Sequence, residues 1–305
     1  NEINGLTMGG VGRGTTIEYV EAYQNLDDGF EFFGGTVNTR YLVTAFCDDD
    51  GFDWDFGYNG SNQYWVCLKD DSIPSSGSRA GEWDYCTPGG CIATGAWPYV
   101  SNATLLGAGK NSSAFGGNND KAIDFRSGTG AHVYNSIIAD HRGDALGFSS
   151  GSLLLIGTPD LVLDSNLFWN FGGGSNPNFS DLVTAGGEVY TAAHNSLADP
   201  KLRGISRIQD NGFDPRPDLS GPAVSGAVAV TDPNGVITNV PYRGALDPNQ
   251  SLANSWLGGW TFLSCGNHLG EQSLSCCVGV TGNVDGDPLE GVDISDLSAL
   301  IDFLY

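Results

Sequence analysis

The stretch "DDGFEFFGG" at residues 27–35 returns as "DDDGFDWDFG" at residues 48–57, and this recurrence constrains the fold more than any other feature. Shifted by 22 residues, Asp28-Gly29-Phe30-Glu31-Phe32 falls on Asp50-Gly51-Phe52-Asp53-Trp54, and Tyr19-Val20 falls on Tyr41-Leu42. "QYWV" (63–66) and "RAGEWD" (79–84) give a third copy, lengthened by the turn-rich "DDSIPSSGSR". Farther on, "VSNATL" (100–105), "VYNSII" (133–138) and "VLDSNL" (162–167) form a second series, and "KAIDF" (121–125) recurs 23 residues later as "DALGF" (144–148). Each unit is a few residues of alternating polarity bounded by Gly, Asn or Asp, which reads as a short strand. A fixed period of this size implies stacked repeats, and the Leu-x-x-Leu-x-Leu frame of leucine-rich repeats is missing. The expected fold class is therefore all-β: a right-handed parallel β-helix, with equivalent residues of successive coils about 4.8 Å apart. Phe30 and Phe52, with Phe32, Trp54 and Trp83, should form an inward aromatic stack, while Glu31, Asp53 and Glu82 point outward between them.

The 305 residues suffice for one large domain and a small module. Acidic residues number 36 against 13 Lys+Arg, a formal charge of −23. Phosphate binding needs clustered Lys and Arg, so nucleic acid and anionic membrane surfaces are excluded as partners, whereas cations, calcium above all, are favoured. No apolar run approaches the roughly 20 residues of a membrane span, so no membrane insertion is expected. Seven cysteines suit a secreted, oxidised location. "CTPGGC" suggests a Cys86–Cys91 loop, and Cys265 lies near Cys276 and Cys277, so one of these is its expected disulfide partner. Cys47 and Cys67 are out of register on adjacent coils, and buried thiols are the alternative for every cysteine. No paired C-x-x-C or H-x-x-x-H suggests zinc.

"NGLTMGGVGRGTTIEYVEAYQNLDDGFEFFGGTVNTRYLV" resembles the β-helical region of large bacterial secreted or surface proteins, and "GFDPRPDLSGPAVSGA" (212–227) resembles the segment that closes such helices. The resemblance implies a β-helix over residues 1–230, an irregular closing segment over 231–277 and a separate module over 278–305. It does not choose a function, because this fold carries lyases, adhesins and structural proteins alike.

The last residues, "NVDGDPLEGVDISDLSALIDFLY" (283–305), are rich in oxygen donors and then turn apolar with helical spacing. They resemble one calcium-loop-plus-helix half of a dockerin, which is similar to half an EF-hand. The resemblance implies Asn283, Asp285, Asp287, Asp293 and Asp296 as calcium ligands, with a carbonyl near Gly291, since calcium takes about six to eight oxygens. The loop departs from the dockerin pattern by two extra residues around "PLEG", and one copy is visible where a dockerin has two. A solvated acidic turn is the alternative. Leu297, Leu300, Ile301 and Leu304 share one helix face, which needs a surface to bury against.

Two functions follow from these features. The first is an extracellular structural or surface-assembly protein: residue 3 already lies inside the repeat, so the open end of the β-helix invites a head-to-tail contact between copies, and such contacts propagate into filaments. The second is a calcium-dependent polysaccharide lyase or carbohydrate-binding protein. Its site would use Asp27, Asp28, Asp49 and Asp50, with Arg79 stacked beside Asp49 to take a proton acidified by the cation. Arg79 as a plain counterion to stacked acids is the competing reading. Four scattered histidines and the lack of a G-x-S-x-G motif leave other chemistries without residues to carry them.

Overall fold

In the computed structural model the described residues are 3–70, 79–86, 95–112, 121–171 and 194–270. They form a parallel β-helix. One sheet stacks β1 (Leu6–Gly9), β3 (Phe30–Phe33), β5 (Phe52–Asp55), β7 (Gly81–Asp84), β10 (Lys121–Arg126) and β13 (Asp144–Phe148), every neighbour parallel. The second sheet begins with the long strands β2 (Thr16–Tyr23), β4 (Asn38–Ala45) and β6 (Ser61–Leu68). From there each coil contributes two shorter strands: β8 (Tyr99–Ser101) and β9 (Thr104–Leu106), then β11 (Ala131–Tyr134) and β12 (Ile137–His141), then β14 (Leu161–Asp164) and β15 (Leu167–Phe171), on which the short β16 (Ser196–Leu197) pairs. The split falls at a bend present in every coil. Tyr19, Tyr41, Tyr64, Asn102, Asn135, Ser165 and His194 all have φ between 52° and 61°, so one left-handed residue per coil turns the sheet through a corner.

The expected core is present. Phe30, Phe52, Phe32, Trp54 and Trp83 are fully buried, with Trp54 and Trp83 stacked at 4.0 Å and Phe52 on Trp65 at 4.1 Å. Phe30 pairs with Phe52, and Phe32 with Trp54 and then Trp83. The repeated Asp-Gly has a steric cause. A Cβ on Gly29 would lie 2.4 Å from Thr44 Cγ2, and one on Gly51 2.8 Å from Cys67 Sγ, so both rungs must start on a residue without a side chain.

Two registers differ from the sequence alignment. Val133 pairs with Leu163, not Val162, because Ser165 takes the corner position that Asn135 and Asn102 hold below it. Arg79 stacks over Asp50 rather than Asp49: Gly51 N donates to Arg79 O just as Gly29 N donates to Asp50 O. The insertion before Arg79 hides this one-residue offset.

After the coils, β17 (Leu202–Ile205) and β18 (Phe213–Pro217) form an antiparallel hairpin, and residues 221–270 run back along the second sheet. They bury a second core, in which Leu246, Leu252, Leu257 and Leu263 meet Val43, Val66, Leu106 and Ile137. Facing apolar layers on both sides explains why "YLVTA" and "YWVCL" read as continuous apolar runs rather than alternating ones. Polar side chains at or beside the corner tie this segment down: Asn135 exchanges two 2.9 Å bonds with the backbone of Val228, and Gln63 does the same with Thr238 at 2.7 and 2.9 Å.

Cys47 and Cys67 are buried thiols, and burial pushes Cys67 up to about 11, so both are neutral packing residues. Cys265 is also a thiol, in the short helix Phe262–Cys265, where a disulfide with Cys276 or Cys277 was expected. Cys86 is disulfide-bonded. Cys91, Cys276 and Cys277 lie outside the described residues, as do all of 278–305. Among the described residues no helix is long and apolar enough to cross a membrane.

Trp54 tests the stack: it is fully buried, and its Nε1 donates to Thr129 Oγ1 at 3.0 Å. Trp54→Ala should cost about 3–5 kcal/mol, measured by equilibrium denaturation. A loss below about 1 kcal/mol would mean the aromatic column is not what holds the coils together.

Candidate metal centre

Because strand residues alternate, every residue between two core aromatics of the first sheet faces outward, and the parallel register lines these up coil upon coil. Thr7, Glu31, Asp53, Glu82 and Asp124 form one such ladder. Three residues upstream, Asp28, Asp50 and Arg79 make a second column, joined by bonds from Asp50 N to Asp28 Oδ1 at 2.9 Å and from Arg79 N to Asp50 Oδ1 at 2.8 Å.

The ladder divides into two electrostatic halves. In the later coils each acid has a cation. Arg79 and Arg126 both bond Glu82, Asp124 meets Arg79 and Lys121 at 3.4 Å each, and Asp84 meets Arg126 at 3.1 Å. In the first two coils the acids face one another. Asp28, Glu31 and Asp53 bring carboxylate oxygens within 4.8 Å, as do Asp27, Asp28 and Asp49. Among the described residues none of Asp28, Glu31 and Asp53 has an ion pair. Asp53 Oδ1 is buried and has no hydrogen-bond partner, while Glu31 accepts from Asn4 Nδ2.

Such a grouping is costly for the charged forms. Burial, then the neighbouring Asp50 charge, pushes Asp28 up to about 8. Burial chiefly, with the Asp27 charge adding to it, pushes Glu31 up to about 7. Burial, then Asp49, pushes Asp50 up to about 6, and Asp53 is raised well above its usual range by burial and by Asp28, Asp50 and Glu31. Carboxylates this close either hold protons or share a cation. Three of them can supply several of the six or so oxygens that calcium takes, with water completing the shell. The buried Asp53 Oδ1, which has no hydrogen-bond partner, is chemically suited to be one of those oxygens.

Of the acids expected from sequence, Asp27, Asp28 and Asp49 converge and Asp50 braces Asp28. Glu31 and Asp53 complete the group, although the sequence marked them only as outward-facing rungs. Their 22-residue spacing is the signal that places them one above the other. Arg79 is 6% exposed, and its guanidinium is committed to Glu82 and Asp124, so it serves as a counterion to the ladder. Lys69, also buried, donates Nζ to the Cys47 and Asp49 carbonyls and fixes the acidic turn from the next coil. Asn283, Asp285, Asp287, Asp293 and Asp296, the expected C-terminal calcium ligands, lie outside the described residues.

Residues 1–150 match the pectate-lyase like beta helix domain. The match spans all six strands of the first sheet and therefore the whole acidic ladder. No curated protein and no solved structure matches the chain.

The raised carboxyls set a pH dependence. Folded Asp28, Glu31 and Asp50 keep protons up to about 8, 7 and 6, whereas the unfolded chain loses them near 4. Across that window the folded state binds more protons, so in chelator stability should fall as pH rises from about 4 to about 8 and then level off. Asp53→Asn should flatten the slope and be the more stable protein at pH 8. Parallel slopes for the two proteins would show that the cluster does not couple to folding.

Proposed function

We propose that this is an extracellular β-helix protein that binds calcium in the Asp28–Glu31–Asp53 cluster and holds acidic polysaccharide through that ion. The observation that carries the proposal is the contrast in charge: the later acids are matched by Arg79, Lys121 and Arg126, whereas among the described residues Asp28, Glu31 and Asp53 crowd together with no ion pair. A protein of charge −23 repels a polyuronate, and a divalent cation shared between protein and sugar carboxylates removes that repulsion. The match to a pectate-lyase like domain supports a glycan on this face, and the cysteine count with low lysine supports a secreted location. The reading is one of binding without elimination. A base must reach the sugar proton, and Arg79 is already bonded to Glu82 and Asp124. Head-to-tail assembly is no part of this proposal.

Calcium titration should be done in an Asp285→Ala/Asp296→Ala background, which removes the expected C-terminal site. Calcium should raise the unfolding midpoint at pH 8 and do so little at pH 5, where the carboxyls hold protons. It should also confer binding to polygalacturonate that chelator abolishes. Asp53→Asn should weaken calcium binding by at least about tenfold, the equivalent of ~1.4 kcal/mol. Unchanged affinity in Asp53→Asn would remove the cluster from the reading. Unsaturated uronate products absorbing in the ultraviolet, lost in Arg79→Ala, would convert it to a lyase.

A further inference from the structure

The corner of the second sheet carries an unexplained choice of residue. A left-handed backbone costs most side chains about 1 kcal/mol or more, and Asn, Asp and Gly bear it best. The later coils put Asn102, Asn135 and Ser165 there, yet the first three put Tyr19, Tyr41 and Tyr64, at φ of 56°, 57° and 61°. Their rings stack on the outside of the helix at 4.5 Å and 5.2 Å, nearly parallel. Core packing does not require it at the first coil, where Tyr19 is 50% exposed; Tyr41 is half-buried and Tyr64 buried. Strain held in three consecutive coils, with the first ring half-exposed beside the other two, points to a use for the rings.

The returning C-terminal segment supplies an opposite wall. Trp256 meets Tyr41 at 5.4 Å, and its Nε1 is fixed by the Ala245 carbonyl at 2.8 Å. Tyr242 hydrogen-bonds the Tyr64 hydroxyl. Arg40 stands 5.1 Å over the Tyr41 ring and donates to the Tyr41 hydroxyl at 3.2 Å, which stiffens the stack. Between the walls lies an open cavity of about 370 Å³ whose remaining lining is Asp247, Gln250 and Asn254. Gln250 and Asn254 are exposed, and Asp247 is held by Asn249 at 2.8 Å.

We propose that this cavity binds a neutral sugar residue of a glycan chain, at a site separate from the acidic ladder and independent of calcium. The lining decides the class. An apolar ligand would take water from the exposed Gln250 and Asn254 carboxamides and from Asp247 without replacing it. An anion would face Asp247 with Arg40 already engaged, and a metal would find one carboxylate where it needs several. A pyranose offers what the walls require: hydroxyls for Asp247, Gln250 and Asn254, and C–H surface for Trp256 and the tyrosines.

The test uses the whole chain, with neutral hexasaccharides of glucose, xylose, mannose and galactose as probes, followed by calorimetry and tryptophan fluorescence in chelator. At least one probe should bind, and binding should survive Asp53→Asn. Tyr19→Asn installs a residue that tolerates the left-handed corner, so it should keep or raise stability while weakening binding about tenfold. Asn254→Ala, at an exposed position, should weaken binding similarly without altering the unfolding midpoint. If no probe binds at millimolar concentration, or if Tyr19→Asn and Asn254→Ala bind as the parent does, the site is overturned. Loss of polygalacturonate binding in chelator with neutral-sugar binding intact keeps the two sites distinct.

Discussion

Every coil of this molecule has to sit in register on the one beneath it, and the rest of the structure follows from that requirement. Parallel strands joined by evenly spaced hydrogen bonds cannot slip by one residue without exchanging the inward and outward faces. Like residues therefore stack on like. Inside, this favours the fold: Trp54 lies on Trp83 and Phe125 on Phe148 at separations that suit aromatic rings. Outside, the same geometry sets Glu31 over Asp53 and Asp28 over Asp50, where stacking is unfavourable unless something intervenes. The later coils intervene with arginine and lysine. The core and the cation cluster are thus two results of one periodicity.

The corner column shows the same rule acting on the backbone. A left-handed residue in each coil is a repeated local cost, tolerated because the neighbours above and below share the conformation and satisfy one another's amides, as Asn102 N does with Tyr134 O and Asn135 N with Asp164 O. Amide side chains in or beside that column also reach outward to the returning segment. The corner is therefore both a turn within each coil and the seam along which the C-terminal part of the chain is attached.

Where the period ran without insertion, the sequence was a good guide. The unbroken 22-residue step placed Phe30, Phe52 and Trp54 inward and Glu31 and Asp53 outward, because spacing alone determines facing in a strand. Counting fails where loops interrupt it: the motif spacing sets Arg79 against Asp49 and Val133 against Val162, whereas Arg79 lies over Asp50 and Val133 pairs with Leu163. The convergence of Asp28, Glu31 and Asp53 is not legible in the sequence, since a periodic pattern says which way a carboxylate points and not which oxygen is left buried without a partner. The Tyr-lined cavity was beyond reach for another reason. Its walls join residues 19–64 to 242–256, and no repeat relates those two stretches.

The returning segment changes how the stack can come apart. A solenoid held only by neighbour contacts frays from its ends, one coil at a time. Here Val228 is tied to Asn135, Thr238 to Gln63, Tyr242 to Asn102 and Ala245 to Thr104, contacts spanning 93 to 175 residues of chain. Ties of such sequence separation carry a large loop-closure cost. Once made, they act as a strap across several coils, so that peeling one coil means breaking its bonds to the strap as well as to its neighbours. The coils are therefore coupled into one mechanical unit by residues 221–270.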